Sequence, residues 1–99
     1  MPERPLSSTF DPESSTLVVS GVIDELAAAE FTAAVAAALD GASAPVVVDL
    51  SDVDYFPSVA VSALIEAVRP HPDRYTLLAR QGTIAQRVLH LCGLPHRTA

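Results

Sequence analysis

Lysine is missing from all 99 residues, and that absence removes several chemistries at once. Without it there is no phosphate-gripping P-loop lysine and no Schiff base to a carbonyl substrate. The six strong bases are all arginine and face twelve acids, for a net charge of −6. No cluster of positive charge stands ready to follow a phosphate backbone, so nucleic acid is not expected as a direct partner. A single cysteine, Cys92, excludes an intramolecular disulfide; lying in an apolar run, it reads as a small buried hydrophobe. No apolar stretch approaches the roughly 18 residues needed to cross a bilayer. The opening "MPERPLSSTF" lacks the apolar centre of a signal peptide. These absences point to a cytoplasmic protein without membrane insertion. Sixteen alanines, with arginine as the only strong base, fit a GC-rich coding genome and a bacterial source.

What is present suits one domain with one core, which at this length buries roughly 60–68% of the surface of the unfolded chain. "STF" (8–10) and "TLVVSGVI" (16–23) flank the turn-rich "DPESS" (11–15) and predict a hairpin. "DELAAAEFTAAVAAALDG" (24–41) predicts a helix with Asp24 as N-cap, Phe31, Val35 and Leu39 on one face, and Leu26 near its start. The β-branched "APVVVDL" (44–50) predicts a central strand covered on both faces. From Ser58, Val61, Leu64, Ile65 and Val68 recur at helical spacing, until Pro70 and Pro72 break the pattern. "RYTLLAR" (74–80) predicts another strand. "GTIAQRVLHLCG" (82–93) predicts a third helix, with Thr83 and Gln86 as a capping box and Gly93 as its stop. Residues 1–7 are expected to be flexible and 95–99 to form a short tail. The order β-β-α-β-α-β-α implies an α/β domain with a mixed, mostly parallel sheet and helices packed against it.

Tests for reaction chemistry fail in turn. His71, His90 and His96 lie far apart, and none stands four residues from another histidine or beside the cysteine, so no metal site is predicted. Asp49, Asp52 and Asp54 do not open a calcium loop. Counted from Asp49, the positions that require glycine and glutamate hold Asp54 and Ala60, so the three acids read as solvated loop charges. A nucleophile elbow needs small neighbours on both sides of its serine; Ser58 is flanked at that spacing by Phe56 and Ala60. No cofactor pattern appears. The chain is not expected to be an enzyme.

Ser58 then has two readings. As an N-cap its hydroxyl would satisfy a free backbone N–H, worth about 1 kcal/mol. The same position is also a favourable place for an added phosphate, because helix N–H groups and the dipole attract an anion. Tyr55 and Phe56, just before it, could close the core edge, or one of them could face out and anchor a partner.

At these residues the sequence resembles the STAS family, the sulfate transporter and anti-sigma factor antagonist domains. "VVVDLSDVDYFPSVAVSALIEAV" (46–68) is similar to that family's signature, in which D-L-S-x-V and a hydrophobic pair lead to D-S-S-G-L-x-x-L at a helix start. Asp49, Leu50, Ser51 and Val53 match its first part, Phe56 the hydrophobic position, and Ser58, Val61 and Leu64 the second. "SGVIDELAAAEF" resembles the upstream G-E-L-D element through Gly21, Ile23 and Asp24, and "TIAQRVLHLCGL" resembles a later helix ending in Gly-Leu. The likeness runs from about residue 8 to 94. Pro57 stands where the family usually has an aspartate, Val59-Ala60 replace a small polar residue and a glycine, Ser62 replaces a later glycine, and Val22 replaces an acid. The tail also stops before the final strand and helix that many members add.

The resemblance implies an anti-sigma factor antagonist. Such a module captures an anti-sigma factor, often a serine kinase, and is released when the serine at the helix start, here Ser58, is phosphorylated. It implies a partner surface from Asp24, Asp54, Tyr55, Phe56, Pro57, Ser58, Val59 and Ser62. The alternative is an unphosphorylated STAS scaffold or accessory subunit of a transporter or signalling complex. A bare sheet edge would further suit a homodimer.

Overall fold

A computed structural model describes residues 4–98. The chain opens with a hairpin, β1 (Ser7–Asp11) and β2 (Thr16–Val22), paired antiparallel. Asp11 builds the turn, its carboxylate accepting from the Glu13 N–H at 3.0 Å and the Ser14 hydroxyl at 3.0 Å. There follow α1 (Ala28–Asp40), β3 (Val46–Tyr55), α2 (Ser58–Val68), a 3₁₀ turn at Pro72–Arg74, β4 (Tyr75–Ala79), α3 (Ile84–Leu91) and β5 (Arg97–Thr98). The strands lie in sequence order, β1-β2-β3-β4-β5, and every pair after the hairpin is parallel. This is the single α/β domain with a mixed, mostly parallel sheet that the patterning predicts. β5 is an addition, lying inside the stretch read only as a tail.

Parallel crossovers are almost always right-handed, so three that step the same way across the sheet set α1, α2 and α3 on one face. Burial alternates to match. Leu17 and Val19, Val46, Val48 and Leu50, and Leu77 and Ala79 face the helices and are buried. Between them Val47 and Asp49 are only half-buried and Val18 is exposed. The expectation that β3 is covered on both faces is therefore corrected: its valine run has one dry face and one wet one. β3 also continues to Tyr55, so Asp52 and Asp54 are strand residues, not loop charges: Asp52 pairs with Ser20 of β2, and Asp54 lies at the register shift between Gly21 and Val22.

Asp24 does not cap α1. Its carboxylate accepts from the Ala27 N–H at 2.9 Å and closes a turn over 24–27; the helix proper starts at Ala28. Leu26 is consequently thrown outward, 92% exposed, instead of lining the core face. α3 ends as predicted at Gly93, where φ is +69° and the N–H groups of Gly93 and Leu94 donate to the carbonyls of His90 and Leu89. Its start is capped by Thr83, whose hydroxyl oxygen accepts from the Gln86 N–H at 3.2 Å. Cys92 falls on the outer side of that helix end and is exposed, not buried.

The lead-in expected to be loose is tied down from Arg4 onward, while residues 1–3 lie outside the described residues. The Val22 N–H donates to the Arg4 carbonyl at 3.0 Å, and Leu6 packs against the core. Gly21, at φ +90°, makes room for this crossing, since a Cβ there would fall on the carbonyl of Pro5.

Candidate functional site

The carboxyl ends of β2 and β3 bring two short segments together beside the start of α2. From the first come Asp24, Glu25 and Leu26; from the second come Tyr55, Pro57, Ser58 and Val59. They line an open groove of about 530 Å³. The backbone joins the two walls, the Ile23 N–H donating to the Tyr55 carbonyl at 3.2 Å.

Phe56 sets the register at this corner. It is only 3% exposed and meets Phe31 of α1 edge to face, with ring centroids 6.5 Å apart. Phe56 is therefore a core residue, and the expectation that it touches a partner is corrected. Burying it leaves Pro57 as the last extended residue, with φ −76° and ψ 176°. Pro57 occupies the cap position, its carbonyl accepting from the N–H groups of Ala60 at 2.9 Å and Val61 at 3.1 Å.

Ser58 is thus the first helical residue, one place past the cap, and the N-cap reading of its side chain fails. Its hydroxyl is exposed and bonds to no other group among the described residues. With a proline as cap, the backbone N–H groups of Ser58 and Val59 also lack a side-chain acceptor. Sharing the groove with it are Tyr55, 52% exposed, Leu26 and half-buried Val59. The remaining predicted residues divide. Asp24 lines the groove. Ser62 stands one turn along the outer face of α2, in a separate hollow with Ile65, Glu66 and Arg69.

Asp54 points elsewhere and is already occupied. Both its oxygens accept from the Arg4 guanidinium, at 2.7 and 2.9 Å, and Arg4 also donates to the Asp52 carbonyl at 2.8 Å. The Arg4 hydrogen bond holds the Asp54 carboxyl below the usual carboxylate range. Glu25 and Leu26 are groove residues that sequence reasoning missed. The available signal was Asp24 itself, which can close a turn of its own as readily as it can cap a helix.

Two comparisons bear on this arrangement. A family model described as "Mlab, STAS domain" matches residues 6–95. A crystal structure of an anti-sigma factor antagonist from Mycobacterium paratuberculosis shares the fold with a TM-score of 0.76 at 24% identity, covering 94% of this chain and 86% of that one. Among curated proteins, no sequence matches.

Proposed function

This chain belongs to the STAS domain family, and from that premise we propose that it acts as an anti-sigma factor antagonist. It captures an anti-sigma factor of the serine-kinase type through the groove beside α2 and is released when Ser58 is phosphorylated. The observation that carries the reading is the state of the Ser58 hydroxyl: exposed, unbonded, and flanked by outward-facing Leu26 and Tyr55. A serine that supported the fold would spend its oxygen on the helix N-terminus. This one keeps it free at a surface with apolar anchors.

The switch follows from charge and desolvation. The kinase transfers the γ-phosphoryl of ATP to Ser58 Oγ, ADP leaves, and the hydroxyl proton is lost. The product carries about −1.5 to −2 charges at neutral pH. The N–H groups of Ser58 and Val59 and the α2 dipole hold it in place, so the domain stays folded. A partner seated over Leu26, Tyr55 and Val59 would then have to bury that charge beside Asp24 and Glu25. We expect a loss of about 10- to 100-fold in affinity, about 1.4–2.8 kcal/mol. In this reading the protein has no catalytic role and works in the cytoplasm.

Incubation with its kinase-type anti-sigma factor and ATP should add one phosphate, detected by intact mass, and Ser58→Ala should abolish it. Binding without modification would remove the switch and leave the capture. That result would favour the second reading, an unphosphorylated scaffold or accessory subunit, whose supporting feature is Val59: a branched apolar side chain beside the serine enlarges a contact that no charge need regulate. A complex equally tight with Ser58→Asp would decide for it.

A further inference from the structure

The charge of this protein is divided along its sequence. Eleven of its twelve acids precede Arg69, whereas from Arg74 onward there are four arginines and two histidines and not one acid. Because the strands lie in sequence order, position along the chain becomes position across the sheet. The sheet therefore runs from an acidic side, β1 to β3 with α1, to a basic side, β4 and β5, while α3, which carries Arg87 and His90, packs across β3 and β4. The longest dimension is 39 Å.

Each side also carries exposed apolar side chains. On the basic side they lie along α3, whose core face is Ala85 and Leu89 with Val88 packed beside them. Ile84, Arg87 and Leu91 fall on a different stripe of that helix, at spacings of three and four residues. Ile84 is 51% exposed and Leu91 76% exposed. On the acidic side they are Leu26 and Tyr55, with Asp24 and Glu25, in the groove beside Ser58. Together these four account for all but one of the large apolar side chains exposed among the described residues, the exception being Val18 on the open sheet face. Two separate apolar patches of opposite charge on one molecule make a heterologous pair of surfaces, the kind that joins copies head to tail.

We propose that a second copy of this chain docks the α3 stripe of one molecule into the Glu25–Leu26–Tyr55 groove of the next, with Arg87 facing Glu25. A second copy fits this surface because it brings both the acid that matches Arg87 and the apolar pair that matches Ile84 and Leu91. The docking stands on exposure and charge and holds whether or not Ser58 accepts phosphate. Its consequence is regulatory. An associated copy covers the groove, so self-association and capture of another protein there exclude each other.

Sedimentation velocity on the full chain, from about 10 to 500 μM at low salt, tests this. The mass of the wild type should climb past that of a dimer, and about 0.5 M salt should reverse the rise by screening the charged pair. Arg87→Glu and Glu25→Arg should each be monomeric with unchanged thermal unfolding, because both side chains are exposed. Mixed one to one, these two variants should associate again, because the intact helix of one meets the intact groove of the other and the two reversed charges, on the remaining helix and groove, also attract. A wild type that stays monomeric throughout overturns the proposal. So does a dimer that stops at two copies, or a mixture that stays monomeric. Arg87→Glu retaining capture of an anti-sigma factor while losing self-association would support it and separate it from the function proposed above. Arg87→Glu losing capture, with a wild type that never self-associates, would assign α3 to another protein.

Discussion

Ser58 shows how one register step changes the meaning of a residue. As a cap, its removal would cost about 1 kcal/mol. As the first helical residue with a free hydroxyl, its replacement by alanine should change stability by no more than about 0.5 kcal/mol in urea unfolding. A loss near the capping value would return Ser58 to a structural role. Asp54 offers a second measurement. Its carboxyl titrates below the ordinary range because the ionised form accepts two hydrogen bonds from Arg4. A lowered folded value means that the pair stabilises the fold above the usual carboxylate range, and that this contribution is lost as pH falls through the folded value. Carbon-13 titration should place Asp54 below the ordinary aspartate value, and Arg4→Ala should return it toward that value.

Among the elements, the sequence is most legible where one local rule acts alone. Thr83 and Gly93 bracket α3 as written, because capping needs only neighbours in the chain, but the capping box is half made: the Thr83 N–H donates to the Arg80 carbonyl instead of the Gln86 side chain. The start of α1 is misread because Asp24 can satisfy either a helix or a turn, and the choice depends on how Ile23 and Tyr55 are joined. The end of β3 is misread because aspartates disfavour strands locally, whereas pairing of Asp52, Val53 and Tyr55 with β2 extends the strand through them. Two of the three left-handed glycines give a paired test. Gly93 has open space around it, so Gly93→Ala should cost only the backbone term, about 1–2 kcal/mol. Gly21→Ala adds a collision with Pro5 and should cost more, displacing the lead-in and the Arg4–Asp54 pair. Equal unfolding midpoints for the two variants would contradict that contrast.

At the scale of the whole molecule, stability is centred on β3, which is paired on both sides and packed under the helices. Native-state hydrogen exchange should find its amides from Val46 to Leu50 slowest, and those of the two-residue edge strand β5 among the fastest. Fast exchange in β3 would mean that the core lies elsewhere. Alternation of apolar runs, helical spacings and turn residues determined by themselves the α/β class, the order of the predicted elements and the corner where Ser58 sits, because those signals act over a few residues. Tertiary contacts alone decided that Phe56 is buried while Tyr55 faces out, that Leu26 joins Ser58 in one groove, and that Arg4 takes up Asp54. Each depends on segments tens of residues apart being brought together, and chain spacing carries no record of which partner a side chain meets.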